Sequence, residues 1–263
     1  MNLYPVTVIN NFYDNPDAIR QFALAQKYKF RHEEEGLDYV YPGCRTQDLF
    51  SLDSSLQAIV LKKLVSVFHI AEHDVMRWAI SSSFQSVSEI YKEGVIHTDT
   101  NTIFAGVLYL TPNAPLNSGT SLYRKNVTFT QEKYQQACDA NDERFKAGEI
   151  AMDTSFHSMF DEVVRVNNVY NTLILFEGDI YHAANQFFGK TLEDSRLAQV
   201  FFINKIDANK ANSFPLNRTK AIKLGVTNKN DNFGCRFLCL SFMVCFRKSF
   251  KTTSSTSLKA TSP

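Results

Sequence analysis

Residues 75–110 read VMRWAISSSFQSVSEIYKEGVIHTDTNTIFAGVLYL. Within this stretch Val75–Ile80, Phe84–Tyr91 and Phe104–Leu110 are short runs rich in β-branched and aromatic residues, separated by serine, glycine and asparagine. Runs of that composition predict strands. The same texture returns at Ser121–Arg124, Thr172–Phe176 and Ala198–Ile203, after a first short run at Val6–Asn10. Ahead of Val75 the pattern is helical. Asn15-Pro16-Asp17 opens a helix with proline in its first turn, and Ala18–Ala25 continues it. Leu56–Ile70 repeats apolar residues at 56, 60, 61, 64, 65 and 68, a stripe suited to covering a sheet. Tyr39–Arg45, with Pro42-Gly43, reads as a loop. Helical cover followed by many short strands predicts a mainly β fold, a sandwich or jelly-roll barrel braced by N-terminal helices. Residues 126–171 interrupt the strands with a polar helical stretch, Gln131–Ala147, and an amphipathic piece, Phe156–Val166. An insertion of that length is often a functional lid.

A chain of 263 residues, 44% hydrophobic and 21% charged, buries a large core without disulfide staples. That composition excludes a mini-protein, a disordered tail and a fibrous repeat. A net charge of +1 argues against a dedicated nucleic-acid binder. The charge is unevenly spread: residues 204–263 carry 11 Lys/Arg against 2 Asp/Glu, and the first 203 residues carry a net −8. The folded domain is therefore placed at residues 1–205, and 206–263 is read as a basic appendage with Ser, Thr and Cys that packs no core. Met1–Asn10 has neither the basic start nor the apolar core of a signal peptide. The longest nearly apolar run, Phe237–Phe246, is ten residues, too short to span a bilayer as a helix. Five cysteines without paired spacing read as reduced thiols, and the expected location is cytoplasmic. Arg236, Arg247 and Lys248 beside apolar residues leave room for a weak membrane-surface contact by the tail.

The chemistry concentrates at His97-Thr98-Asp99. Alternation along an extended chain points His97 and Asp99 the same way, an imidazole and a carboxylate oriented as two metal ligands. His182 follows the apolar run Thr172–Phe176 and stands at a barrel mouth as a third. Two histidines and one carboxylate on one face of a metal make the facial triad of non-haem Fe(II) sites. Arg196 opens the last apolar strand, and a guanidinium there invites a carboxylate held bidentately. Singly these residues are weak signals: HxD arises by chance, and a His or Arg at a strand end is usually structural or solvated. Their order and setting together point to a metal site. His69 and His73 stand four apart on a helix, but Ile70 occupies the position where a metalloprotease needs glutamate, so they read as helix-end residues. Cys235, Cys239 and Cys245 have spacings that support zinc poorly. His157, His32 and Arg31–Asp38 read as solvated surface, and Tyr123, Phe187 and Phe188 as core or rim packing in preference to the lining of a dry pocket.

Over about residues 5–203 the chain resembles the Fe(II)/2-oxoglutarate-dependent oxygenases, in their prolyl-4-hydroxylase-like branch and among its poorly characterised bacterial and phage-type members. The resemblance is carried by Val6–Phe22, Tyr91…Gly94…His97-Thr98-Asp99, Gly106–Leu110, Gly119–Tyr123, the His182 segment and Arg196. Many relatives have Gly-Gly where this chain has Ser118-Gly119, a departure that concerns a turn. The resemblance implies a double-stranded β-helix, with His97, Asp99 and His182 as iron ligands and Arg196 as the partner of the 2-oxoglutarate C5-carboxylate. Either Tyr91 or Tyr109 would help hold that carboxylate. It also implies Fe(II), 2-oxoglutarate as co-substrate and O2, used to hydroxylate an unactivated C–H of an amino acid, peptidyl or small-metabolite substrate with release of succinate and CO2. Related halogenases carry a small residue in place of the carboxylate, so Asp99 favours hydroxylation. Two other readings stand beside this one: a non-enzymatic jelly-roll module, and a cupin-like metal enzyme without 2-oxoglutarate, which leaves Arg196 without a purpose.

Overall fold

The computed structural model describes residues 6–34, 41–67 and 77–207. The His69/His73 pair, the Cys235–Cys245 run and the appendage from residue 208 onward lie outside the described residues, as do 35–38 of the acidic segment. In chain order the elements are β1 (Val6–Ile9), α1 (Pro16–Leu24), β2 (Lys29–Phe30), β3 (Cys44–Arg45), α2 (Leu49–Leu52), α3 (Ser54–Ser66), β4 (Arg77–Val87), β5 (Phe104–Tyr109), β6 (Thr120–Lys125), α4 (Gln131–Lys146), β7 (Phe160–Val166), β8 (Leu173–Glu177), β9 (Tyr181–Ala184) and β10 (Arg196–Asp207). The helix opening expected at Asn15 is capped, Asn15 accepting from the Ala18 N–H, and α3 is capped by Asp53, which accepts from the Leu56 N–H. No helix among the described residues is long and apolar enough to cross a membrane.

The strands form two antiparallel sheets, one ordered β1-β8-β5-β10-β4-β3-β2 and a smaller one ordered β7-β6-β9. Residues 94–97 extend the smaller sheet beyond β9, where His97 bridges His182 and the Gly94 N–H reaches the Ala184 carbonyl at 2.9 Å. After β4 the chain crosses to the smaller sheet at 94–97, returns as β5, and crosses again for β6 and β7. It then returns as β8, crosses as β9 and returns as β10. That alternating winding is a double-stranded β-helix, and it is the fold of this chain.

Strand alternation sorts the core into layers. Phe104 and Leu108 of β5, Leu173 and Leu175 of β8, and Leu197 and Phe201 of β10 face the helical cover, where they meet Ala23, Val60 and Leu64. Ala105, Tyr109, Ile174 and Phe176 face the opposite way, into the barrel, against Leu122 of β6. A sheet covered on both faces needs nearly continuous apolar strands, which is why FAGVLY and LILFE show little polar alternation.

Three local expectations change. Val75–Ile80 and Phe84–Tyr91 are not separate strands. From Arg77 to Val87 they form one, paired along its length with β10, and Glu89–Tyr91 is a 3-10 turn. The serines between them stay in the ladder, with Ser81, Ser82 and Ser83 opposite Phe202, Phe201 and Val200, and Gln199 of β10 donates to the Ser82 hydroxyl at 2.9 Å. Cys44–Arg45, read as loop, is a short strand beside β4. Phe156–Val166 splits into a 3-10 turn at Ser155–Met159 and strand β7, so the barrel itself claims part of the supposed insertion. The α4 side chains Tyr134 and Ala137 pack with Phe156, Met159 and Phe160 over the outer face of the smaller sheet, against Ile96 and Ala183.

Candidate metal centre

His97 and His182 exchange both backbone hydrogen bonds, at 3.0 and 2.9 Å, which sets their side chains beside each other on the inner face of the smaller sheet. Asp99 reaches them from the next turn, where its N–H donates to the Gly178 carbonyl at 2.8 Å. Gly178 also admits Thr102, whose N–H bonds the Asp99 carbonyl at 3.2 Å: a Cβ at Gly178 would lie 2.3 Å from the Thr102 carbonyl oxygen. The carboxylate faces both rings, with Oδ1 3.6 Å from His97 Nε2 and Oδ2 3.4 Å from His182 Nε2. One ligand atom from each residue lies within 4.8 Å of the other two. His182 is buried, while the His97 side chain is 49% exposed, so the cluster sits at the barrel mouth.

The second ring nitrogens are tied down in the same manner on both histidines. His97 Nδ1 bonds the Val95 carbonyl at 2.8 Å and His182 Nδ1 bonds the Ile180 carbonyl at 2.9 Å. Donation from Nδ1 leaves each Nε2 lone pair facing Asp99, the arrangement that fixes metal-ligating imidazoles. Burial works against an ionised Asp99, yet the two imidazoles beside it hold its carboxyl well below the usual carboxylate range. Burial also opposes a charged His97, and the adjacent Asp99 carboxylate outweighs it, so the net shift is upward. Two imidazole nitrogens and a carboxylate oxygen at this spacing suit a first-row divalent cation with open coordination positions.

Arg196 lies deeper in the barrel and is 5% exposed. Its Nε donates to the Ser118 carbonyl at 3.1 Å and its Nη2 approaches the Thr120 hydroxyl at 3.4 Å. The guanidinium carbon stands 5.4 Å from the Tyr109 ring centre and 5.9 Å from that of Phe187. Tyr109 is fully buried, donates to Thr120 at 2.9 Å and stands against Arg196, which partly offsets the upward push of burial on its phenol. These partners are neutral, and no carboxylate pairs with Arg196 among the described residues. A buried guanidinium with only neutral partners retains its charge and is a ready anion receptor.

The structure brings Tyr109 to Arg196. Tyr91 lies elsewhere, in the turn after β4, with its ring stacked on Phe145 of α4 at 6.5 Å. The Ser118-Gly119 turn, where the chain departs from many relatives, supplies the Ser118 carbonyl to Arg196. Arg45 was not singled out from the sequence. It pairs with Gln85 across β3 and β4 and lies 4.5 Å over the Tyr41 ring and 5.6 Å over that of Phe202, and its charge opposes protonation of His97. Two residues read as solvated are not: Arg31 is buried, and His157 accepts a hydrogen bond from the Ile96 N–H. Phe187 packs against Arg196, and Tyr123 packs on the outer cluster under α4.

Several solved structures are similar at low identity. HygX from Streptomyces hygroscopicus, with nickel, 2-oxoglutarate and hygromycin B bound, is 10% identical with a TM-score of 0.49, over 80% of this chain and 85% of that one. A Trichoplax adhaerens prolyl hydroxylase in complex with a hypoxia inducible factor peptide fragment is 11% identical with a TM-score of 0.38, over 75% and 82%. A Pseudomonas putida prolyl-4-hydroxylase is 12% identical with a TM-score of 0.35, over 76% and 92%. These likenesses are distant, and the barrel assignment rests on strand order. No curated protein matches the sequence. One family does match: its sequence pattern covers residues 2–196, from the first strand through Arg196, and takes in His97, Asp99 and His182. The chain belongs to that family, the family of unknown function DUF6445.

Proposed function

We propose that this chain is an Fe(II)- and 2-oxoglutarate-dependent oxygenase, with His97, Asp99 and His182 holding the metal and Arg196, assisted by Tyr109, holding the distal carboxylate of 2-oxoglutarate. The observation that carries the reading is the Asp99 carboxylate facing two Nε2 atoms, in a barrel whose buried Arg196 has only neutral partners among the described residues. A bound Fe(II) with 2-oxoglutarate supplies the activation of O2 that oxidises a C–H bond, and the protein's share is orientation and exclusion. Val95 and Ile180 fix both imidazoles in the tautomer that presents Nε2. Asp99 supplies the negative charge, and Arg196 would hold the distal carboxylate of the co-substrate by charge pairing. Thr120 buttresses this pocket by accepting from Tyr109 and approaching Arg196. Phe187 covers one side of the guanidinium.

Within that class we favour hydroxylation of an amino acid, peptidyl or small-metabolite substrate, by a prolyl-4-hydroxylase-like domain of residues 1–205 acting in the cytoplasm. The distant likenesses to HygX and the prolyl hydroxylases agree with this reading and add no weight to it. The test is succinate formation by purified protein given Fe(II), 2-oxoglutarate and O2, with candidate substrates added in turn. Succinate that depends on Fe(II) and disappears in Asp99→Ala supports the reading. Its absence under all conditions returns the chain to a binding module or a metal enzyme without 2-oxoglutarate.

A further inference from the structure

The residue before His97 is gripped from outside the barrel. Because His97 exchanges both backbone bonds with His182, the N–H and C=O of Ile96 point away from β9, to the open edge of the smaller sheet. An edge N–H has no strand to pair with. His157 takes that place: its Nε2 accepts the Ile96 N–H at 3.1 Å. On the same side the Tyr134 hydroxyl of α4 stands 3.5 Å from the Ile96 carbonyl, a long contact that flanks the first. Acceptance at Nε2 puts the proton on Nδ1, which faces Glu93 with Oε1 at 4.0 Å. The ring is packed edge-on to Phe156 at 4.9 Å. Burial holds His157 below the ordinary imidazole value against the pull of Glu93 and Asp153, which keeps the accepting, neutral form.

The turn that carries His157 is itself anchored. Asn141 of α4 donates to the Asp153 carbonyl at 2.9 Å and accepts from the Asp153 N–H at 2.8 Å. The chain leaving β6 thus builds α4, ties the following loop to that helix, and returns one imidazole to the strand bearing the first ligand.

We propose that His157 is a positioning residue for the metal centre, fixing the edge strand so that His97 is aimed at Asp99 and His182. The inference rests on the metal reading above. Its leverage comes from Val95, whose carbonyl anchors His97 Nδ1: a displaced strand at 95–96 moves both the His97 backbone and the anchor of its ring.

Two variants of the full chain separate this role from simple packing. His157→Phe keeps a ring against Phe156 and removes the acceptor, and His157→Gln restores an acceptor without the ring. Hydrogen exchange of the metal-free protein reads the clamp directly, and Co(II) titration followed by visible absorption reads the site. The expected result for His157→Phe is faster exchange confined to residues 94–99 and about tenfold weaker Co(II) binding, the scale of lost outer-sphere support. In His157→Gln both return toward wild type. Unchanged exchange at 94–99, or wild-type Co(II) affinity in His157→Phe, overturns the inference while the metal reading stands. So does an equal, chain-wide rise in exchange in both variants, which makes His157 merely structural. Wild-type protein that takes no Co(II) overturns the metal reading and this inference with it.

Discussion

His97 and His182 face each other across a single antiparallel bridge, with ring centres 4.4 Å apart and backbone bonds of 3.0 and 2.9 Å joining the same two residues. Two candidate ligands 85 positions apart in the chain are thereby placed by main-chain geometry, and the carboxylate two residues after the first closes the cluster.

Asp99→Ala removes the one negative charge facing both imidazoles. Divalent metal affinity falls by more than the roughly 10–100-fold that outer-sphere losses cost, and succinate formation stops. Co(II) or Fe(II) titration checks this, and retained affinity would remove Asp99 from the ligand set.

Arg196→Ala leaves metal binding in place and weakens 2-oxoglutarate. Truncating one side of a buried charge pair costs about 2–5 kcal/mol, an affinity loss of roughly 30-fold or more. Tyr109→Phe deletes one hydroxyl and costs about 1 kcal/mol, near fivefold. Calorimetry of 2-oxoglutarate binding to the metal-loaded variants measures both. An Arg196→Ala protein with normal affinity identifies the wrong anchor.

The response to pH has opposite signs with and without metal. Although burial opposes it, the Asp99 carboxylate raises His97 above the ordinary imidazole value. In metal-free protein that attraction contributes fully below the ordinary imidazole value and is lost as pH rises through the raised one. Metal binding needs a deprotonated Nε2 and strengthens over the same rise. The Tm gain on adding Mn(II) should therefore grow from about pH 5 to about pH 9. His97→Gln flattens the trend, and a gain that is flat with pH in wild-type protein contradicts it.

Gly119→Ala tests the turn beneath Arg196. A Cβ at Gly119 would lie 1.8 Å from the Val166 carbonyl oxygen, so β6 and β7 must part. Overpacking of this kind costs about 1–3 kcal/mol and lowers Tm by roughly 2–10 °C. Because the Ser118 carbonyl moves with it, 2-oxoglutarate binding weakens too. Thermal unfolding and calorimetry check the pair, and an unchanged Tm contradicts the steric argument.

What was legible in the sequence is what local pattern encodes. The α3 stripe shows as the buried residues Val60, Leu61, Leu64 and Val65, and the apolar runs of β5 and β8 are strands covered on both faces. His97, Asp99 and His182 were legible because two of them follow the period of an extended chain and the third follows a strongly apolar strand. The continuity of β4 was not, because Ser81–Ser83 read as a break until β10 supplies its pairing. Which of Tyr91 and Tyr109 stands beside Arg196 needed strand register, since the cross-strand row from Ala198 to Tyr109 brings that tyrosine next to the guanidinium. His157 looked like surface because its partner, the Ile96 N–H, is 61 residues away and carries no side-chain signal.

The most direct test of the account is an anaerobic titration of the purified chain with Fe(II) and then 2-oxoglutarate, followed by visible absorption. Wild-type protein is expected to give the charge-transfer band of chelated 2-oxoglutarate, His97→Ala no band, and Arg196→Ala a weaker 2-oxoglutarate response. Bound Fe(II) with no band on adding 2-oxoglutarate would contradict the account.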